Sequence, residues 1–194
     1  MYKGLICGVD EAGRGPLAGS VFAAAVILDP DKPIEGLTDS KKLSEKKRAK
    51  LALLIKEKAL IWAVSEATHE EIDQINILQA TLLAMRRAIE RISPLPTTIR
   101  IDGNKIPDGF DHCDIVAVIG GDRSIAAISA ASILAKTARD AALLSLDKQY
   151  PNYGFAQHKA YPTKLHIEKL AQYGPCPFHR KTFGPVARCL KASS

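Results

Sequence analysis

Leu5-Ile6-Cys7-Gly8-Val9-Asp10-Glu11-Ala12-Gly13-Arg14-Gly15-Pro16 is the stretch on which the rest of the chain is read. An apolar run leads straight into two adjacent carboxylates, then a glycine-flanked arginine, then a proline. The run predicts a strand over residues 5–10 that leaves an interior and ends on acids, with Pro16 closing the turn. Adjacent acids at a strand end repel one another unless a positive charge sits between them, and a divalent cation is the usual solution. Gly13 and Gly15 let the backbone come close to a ligand with its N–H groups exposed. One short segment thus offers a metal site beside an anion site, a combination suited to phosphate chemistry.

Working outward, residues 21–28 form a second apolar run, and the spacing suits an antiparallel hairpin with the first. Asp29-Pro30-Asp31-Lys32-Pro33 is a loop. Ser44 can cap a helix with Leu51, Leu54 and Ile55 on one face and lysines on the other. Residues 60–66 read as a strand, with Trp62 expected in the core. Thr68-His69-Glu70-Glu71 is a capping box that opens a short helix. Leu78, Leu82, Met85, Ile89 and Ile92 follow at helical spacing, and Pro94 and Pro96 end that amphipathic helix. Thr98–Asp102 is a strand that again terminates in a carboxylate. Residues 115–119 form another, ending at Gly120-Gly121-Asp122. A long helix rich in alanine and serine is expected over residues 124–149, its small side chains allowing close packing on a sheet. Residues 162–173 form a last helix, stopped by Gly174-Pro175. A hairpin followed by alternating strands and helices predicts an α/β fold, a mixed sheet with helices on both sides.

The chain has 194 residues, 46% hydrophobic and 25% charged, which suits one catalytic domain over residues 1–194 rather than two large cores. Its net charge of +6 favours a phosphate-rich partner, because basic surfaces gain affinity by displacing counterions. No apolar run approaches membrane-spanning length and no signal peptide precedes Leu5, so a cytoplasmic protein with no membrane contact is expected. Cys7, Cys113, Cys176 and Cys189 form no C-x-x-C pair and read as reduced thiols. Cys176 and His179 have metal-like spacing, but no second pair accompanies them, so structural zinc is not expected.

Three strand ends therefore deliver Asp10-Glu11, Asp102 and Asp122. Acids that are far apart in sequence and share one sheet edge can hold two hard cations about 4 Å apart, with a bridging aspartate between them. Taken alone, Asp122 reads better as a solvated turn residue, since Gly-Asp is a common turn. Asp10-Glu11, in its glycine setting, reads as functional.

At this point the residues resemble a known family. Asp10-Glu11-Ala12-Gly13-Arg14-Gly15-Pro16 is similar to the opening motif of the type 2 ribonucleases H, in particular bacterial ribonuclease HII. Asp39-Ser40-Lys41 resembles the family's nucleic-acid-contacting loop. Ile101-Asp102-Gly103-Asn104 and Gly121-Asp122 resemble its second and third acidic motifs. Ser129-Ala130-Ala131-Ser132-Ile133-Leu134-Ala135-Lys136 and Arg139-Asp140 resemble its long helix. Tyr153-Gly154-Phe155, His158-Lys159, Tyr161-Pro162-Thr163 and His179-Arg180 complete the set.

The resemblance implies a ribonuclease H-like mixed sheet with a small helical C-terminal part from about residue 150. It implies cleavage of the RNA strand of RNA–DNA hybrids and of duplex DNA 5′ of single embedded ribonucleotides, leaving 3′-hydroxyl and 5′-phosphate ends. Two Mn2+ or Mg2+ ions are the implied cofactor. Asp10, Glu11, Asp102 and Asp122 take the catalytic, metal-binding positions. Gly13, Arg14 and Gly15 take the segment that recognises the ribose 2′-hydroxyl, and Tyr161 that of a tyrosine packed on the following deoxyribose. Ser40, Lys41 and Arg180 join the substrate-binding residues. Two positions depart from the pattern. Ala160 stands where the family usually has glycine, and Gly120 where a basic residue is common. The alternatives are another two-metal nuclease of the same fold, which would not require ribose, or a non-catalytic hybrid-binding module, against which the four acids speak. The first strand begins by residue 5, leaving no room for the N-terminal domain of ribonuclease HIII.

The remaining expectations concern single residues. Lys46, Lys47, Arg48 and Lys50 read as a solvated helix face. His158, His166 and His179 are acid–base candidates that nothing in the sequence places near the acids. Arg139 and Asp140 read as a structural pair. The protein is expected to be a monomer, and no clamp-binding tail is evident after Val186.

Overall fold

Five strands and the helices between them carry the site. The computed structural model describes residues 4–192. The strands are β1 (Cys7–Ala12), β2 (Val21–Ile27), β3 (Ile61–Ala67), β4 (Thr98–Asp102) and β5 (Asp114–Val118), in the sheet order β3-β2-β1-β4-β5. β1 and β2 form the expected antiparallel hairpin, with Asp10 opposite Ala24. β3 continues it antiparallel, while β4 and β5 add parallel to the other side, with Val9 beside Ile101. The sheet is therefore mixed, as the order of elements predicted.

The helices are α1 (Glu45–Lys58), α2 (His69–Glu90), α3 (Gly121–Ser124), α4 (Ala126–Gln149), α5 (Phe155–His158), α6 (Lys164–Tyr173) and α7 (Gly184–Ala192). α2 is broken at Asn76, whose φ is 68°, so a short capped helix does precede the longer amphipathic one. The Asn76 side chain re-caps the second piece by accepting from the Leu78 and Gln79 N–H groups. The helix expected over residues 124–149 is α4, and the short α3 precedes it, parted from it at Ile125.

Strand alternation decides which side chains meet which helices. Cys7, Val9, Ile99, Ile101 and the odd-numbered residues of β2 face α2 and pack on Ala84, Met85, Ala88 and Ile89. Ala24 and Val26 face the other way, onto Leu51 and Ile55 of α1 and Ala130, Ile133 and Leu134 of α4. Gly8 lies on this second face. A β-carbon there would sit 2.1 Å from the Ala127 carbonyl carbon, so only glycine lets the start of α4 lie directly against β1.

Two expectations are corrected here. Trp62 is not core: it is 36% exposed, its indole N–H donates to the Lys56 carbonyl, and the Lys56 ammonium lies 5.1 Å over its ring. It pairs with Val26 and so lies on the α1 side, but on the edge strand β3, where only the last turn of α1 reaches it. Arg48 is not solvated like its neighbours. It is buried, and one guanidinium nitrogen donates to the Ser40 carbonyl at 2.7 Å. α7, which sequence reading did not anticipate, buries Val186 against Leu17 and Leu170.

Candidate active site

The same alternation builds the acidic site. Asp10 shares a face with Gly8, and Asp102 shares a face with Arg100, so both carboxylates emerge on the α4 side of adjacent parallel strands. Asp122 arrives from the first turn of α3, just beyond the end of β5. Carboxylate oxygens of Asp10, Asp102 and Asp122 lie within 4.8 Å of one another. The Asp122 N–H donates to Asp102 Oδ1 at 3.3 Å, and the Glu11 N–H donates to Asp10 Oδ1 at 2.7 Å. Asp122 is buried, so it is not the solvated turn residue that its Gly-Asp setting suggests.

Burial, and then the charges of Glu11 and Asp102, push the Asp10 carboxyl well above the usual range. Burial and the charges of Asp102 and Asp39 raise Asp122 as well. Glu11 is raised chiefly by burial, opposed by the Arg14 guanidinium 3.6 Å away. Such a set of crowded oxygens, with Asp10, Glu11 and Asp122 harder to ionise than in water, fits a hard divalent cation that would supply the missing positive charge. Glu11 stands beside the trio rather than within it, because the next residue along a strand points to the opposite face. Asp39 is expected from sequence only as the first residue of the Asp39-Ser40-Lys41 loop, with no role of its own at the acids. It is buried, its Oδ1 accepts the Lys41 N–H at 2.9 Å, and Arg123 reaches both it and Asp122, at 4.0 and 3.8 Å. Its place directly before Ser40-Lys41 was the available signal.

A groove of about 470 Å³ runs from the acids past Gly13, Arg14 and Gly15, Ser40 and Lys41, Ser132, Lys136 and Tyr161. Ser132 on α4 donates to Ser40 Oγ at 2.8 Å and so ties the loop to the helix. Ser40 is buried beneath the groove, whereas Lys41 and Arg14 are exposed. Asp140, about two turns along α4 from Ser132, collects Lys136 at 2.7 Å, Arg139 at 3.2 Å and Arg48 at 3.5 Å, so the Arg139–Asp140 pair is structural as expected. A larger recess of about 640 Å³ lies elsewhere, between β3 and the end of α2. Arg87 in its wall is already paired with Glu71 at 2.6 Å.

The Gly13-Arg14-Gly15 turn is shaped from below. Gly13 has a φ of 101°, which a side chain rarely adopts. Arg180 is fully buried under the turn and donates to the carbonyls of Gly13, Arg14 and Gly19 at 2.7, 2.9 and 2.9 Å. This corrects the expectation that Arg180 touches substrate: its donors are spent inward, and it supports the turn that faces the groove. Tyr161 is 41% exposed at the other end of the turn, with the Arg139 guanidinium 5.2 Å from its ring. A β-carbon on Gly15 would come within 3.3 Å of Tyr161 Cε1, so turn and ring are neighbours.

The segment before Tyr161 is unusual. Lys159 and Ala160 have φ values of 49° and 59°. Left-handed residues bearing a β-carbon cost about 1–2 kcal/mol each. Three donors from three elements hold them: Arg139 to the Lys159 carbonyl, the Leu17 N–H to the Ala160 carbonyl at 2.8 Å, and His166 Nδ1 to the Tyr161 carbonyl at 3.0 Å. His158, His166 and His179 gather beneath this segment with Tyr153 and Phe155, and none lines the groove. Their acid–base candidacy at the reacting centre therefore falls away.

Acids converging from neighbouring strands beside an exposed glycine turn define a metal-dependent phosphodiester hydrolase. The family model described as Ribonuclease HII matches residues 7–186. Curated proteins named Ribonuclease HII from Dechloromonas aromatica and Laribacter hongkongensis are 60% and 59% identical. They align over 96% and 95% of this chain and 94% and 93% of their own lengths. A crystal structure of ribonuclease H2 from Pyrococcus horikoshii superposes with a TM-score of 0.79 at 27% identity, covering 97% of this chain and 98% of that one. The chain belongs to the ribonuclease HII family. It is thus a metal-dependent endoribonuclease with the ribonuclease H-like fold, acting on RNA in RNA–DNA hybrids and at embedded ribonucleotides.

Proposed function

We propose that Asp10, Glu11, Asp102 and Asp122 are the catalytic acids of this activity and that two divalent ions, Mg2+ or Mn2+, bind among them. The observation that carries the reading is the meeting of three carboxylates within 4.8 Å, one of which, Asp10, lines the groove together with Glu11, the glycine turn and Tyr161. When bound, such ions polarise the phosphoryl oxygens and lower the pKa of water. The residues themselves do the rest. Asp10 and Asp102 offer oxygens from adjacent strands, and Asp122 offers them from a helix start anchored by Ser129, whose hydroxyl donates to the Asp122 carbonyl at 2.7 Å.

Substrate recognition follows the groove. Arg14 and Lys41 are exposed cations that meet phosphates without reading bases. Ser40, buried and bonded to Ser132, sets the position of Lys41. The backbone of Gly13-Arg14-Gly15, held rigid from beneath, meets a 2′-hydroxyl, which is both donor and acceptor and marks a nucleotide as RNA. Tyr161 stacks on the sugar that follows and excludes a second 2′-hydroxyl. Cleavage 5′ of the ribonucleotide leaves 3′-hydroxyl and 5′-phosphate ends. We place the enzyme in the cytoplasm as a monomer. No helix among the described residues is long and apolar enough to cross a membrane.

The test is cleavage of a duplex carrying one embedded ribonucleotide, beside its all-DNA twin, with and without Mn2+. Cutting confined to the ribonucleotide duplex and dependent on metal is the expected result. Cutting of both duplexes would replace the reading with a nuclease blind to ribose.

A further inference from the structure

We propose that His179 and His166 form a hydrogen-bonded relay that positions Tyr161, and that this relay sets how well the enzyme reads an RNA–DNA junction. The inference rests on the reading of Tyr161 given above. It begins from a group whose role is fixed. The Cys176 N–H can only donate, and it lies 3.0 Å from His179 Nδ1. That nitrogen is therefore bare, and the neutral ring carries its proton on Nε2. His179 Nε2 is 3.1 Å from His166 Nε2, which must then accept. The His166 proton is left on Nδ1, 3.0 Å from the Tyr161 carbonyl. One backbone N–H thus dictates both tautomers, and the chain of donors ends on Tyr161.

The surroundings keep this order. Both rings are fully buried, and burial lowers each to about 4, so both are neutral near pH 7. His158 stacks on His166 at 4.4 Å and donates from Nε2 to the Tyr153 carbonyl at 2.8 Å, which leaves its buried Nδ1 without a partner. Cys176 Sγ lies 3.1 Å from His179 Nδ1, and Tyr153 packs on the His179 ring.

What the relay holds is a strained place. Lys159 and Ala160 are both left-handed, and conformations of that kind persist only where neighbours over-determine them. Arg139 and the Leu17 N–H secure the two carbonyls before Tyr161, and His166 secures the third. Arg139 and Leu17 belong to α4 and to the glycine turn, and they remain when His166 is changed. The acids lie on other elements. Loss of the relay should therefore disturb the ring of Tyr161 and spare the acidic site.

Two measurements test this. Long-range 1H–15N correlation spectra of the wild-type protein at pH 7 should show His166 protonated on Nδ1 and His179 on Nε2. The opposite tautomer, or a cationic ring, at either position overturns the relay. The second measurement is the ratio of initial rates on a duplex with one embedded ribonucleotide and on a continuous hybrid. His166→Phe keeps a flat ring against His158 but removes the donor. It should lower the ratio about 5–10-fold, the size of one net hydrogen bond, with the hybrid rate little changed. His166→Asn, whose amide N–H can replace the Nδ1 donor, should recover most of the ratio. Equal loss on both substrates, or none, makes His166 a packing residue only. Tyr161→Ala is run in parallel. If it lowers the ratio while His166→Phe does not, the relay alone is wrong. If it leaves the ratio unchanged, the reading of Tyr161 is wrong and the relay falls with it. Should His166→Phe fail to fold, the wild-type tautomers and the Asn variant decide.

Discussion

Arg180 and Gly13 are 167 residues apart in the chain, and a hydrogen bond of 2.7 Å joins the guanidinium of one to the carbonyl of the other. The helical C-terminal part thus reaches under the first turn of the sheet and holds it. Burial and the nearby Arg139 lower Arg180 to about 9, which still leaves it charged at neutral pH. Its worth to the protein lies in the planar fork, which meets three carbonyls at once.

Arg180→Lys keeps the charge and loses that fork. A single ammonium cannot serve the carbonyls of Gly13, Arg14 and Gly19 together, and those left buried without a donor cost about 1–3 kcal/mol each. We expect a loss of about 2–4 kcal/mol in urea denaturation. Cleavage should fall equally on hybrid and single-ribonucleotide substrates, because the whole turn shifts. A variant as stable as wild type would show that the turn holds its own shape.

Asp10→Asn should separate stability from function. In the absence of metal, Asp10 is a buried carboxylate beside Glu11 and Asp102, and its ionised form is disfavoured. The amide keeps the acceptor for the Glu11 N–H and removes the repulsion. Stability without metal should rise by about 1 kcal/mol, or about 2–4 °C in Tm for a chain of this size. Turnover should fall below a tenth of wild type, while hybrid affinity stays within a few-fold. A Tm that falls instead would mean that the carboxylate is held by contacts the amide cannot replace.

These outcomes bear on what was legible in the sequence. The acids at Asp10 and Asp102 were readable because local apolar patterns place a strand before each; that β1 and β4 are neighbours, which brings the two carboxylates together, is set by long-range pairing. The glycine turn was readable from local pattern as well. The role of Arg180 was not, because nothing local says whether an arginine points to solvent or to a turn at the other end of the chain. Trp62 misled because it is apolar by type yet sits on the edge strand β3, where only the last turn of α1 reaches it. Arg48 misled in reverse, its helix reading as solvated while the Ser40 loop folds over it. The histidines were visible as a motif. Their arrangement depends on contacts between α6 and the loop after it, which spacing alone does not set.

Acid should destabilise the protein through those histidines. A histidine ordinarily titrates near 6.5, and His166 and His179 are held at about 4 in the folded chain. Between these values the unfolded chain binds protons that the folded chain does not. Their contribution to stability is therefore present above pH 6.5 and is lost as pH falls toward 4. Each ring can contribute a slope of up to about 1.4 kcal/mol per pH unit in that window. Asp10, Glu11 and Asp122 are raised and act in the opposite direction, so the comparison must cancel them. Denaturation of wild type and His166→Phe at several pH values does so. The variant should show the shallower fall, and parallel curves would mean that His166 titrates normally.

Two glycine substitutions should give opposite results. At Gly8 a methyl group would meet the Ala127 carbonyl carbon, the Ile128 nitrogen and the Ala127 oxygen at 2.1, 2.2 and 2.5 Å. All three are backbone, so α4 must lift from β1, and Ser132 with it. The loss should be at least that of a severely overpacked core position, about 3 kcal/mol or more, with a reduced yield of soluble protein. At Gly15 a methyl group would meet only the ring of Tyr161, at 3.3 and 3.8 Å. That ring is partly exposed and free to turn aside. Gly15→Ala should therefore stay within about 0.5 kcal/mol of wild type, as surface substitutions usually do. Its effect should appear in selectivity, because a displaced ring no longer meets the sugar beyond the ribonucleotide. Thermal denaturation and the two-substrate rate ratio, measured on the same preparations, read both quantities. A Gly15→Ala enzyme with wild-type stability and an unchanged ratio would show that the position of Tyr161 beside the turn does not govern junction recognition.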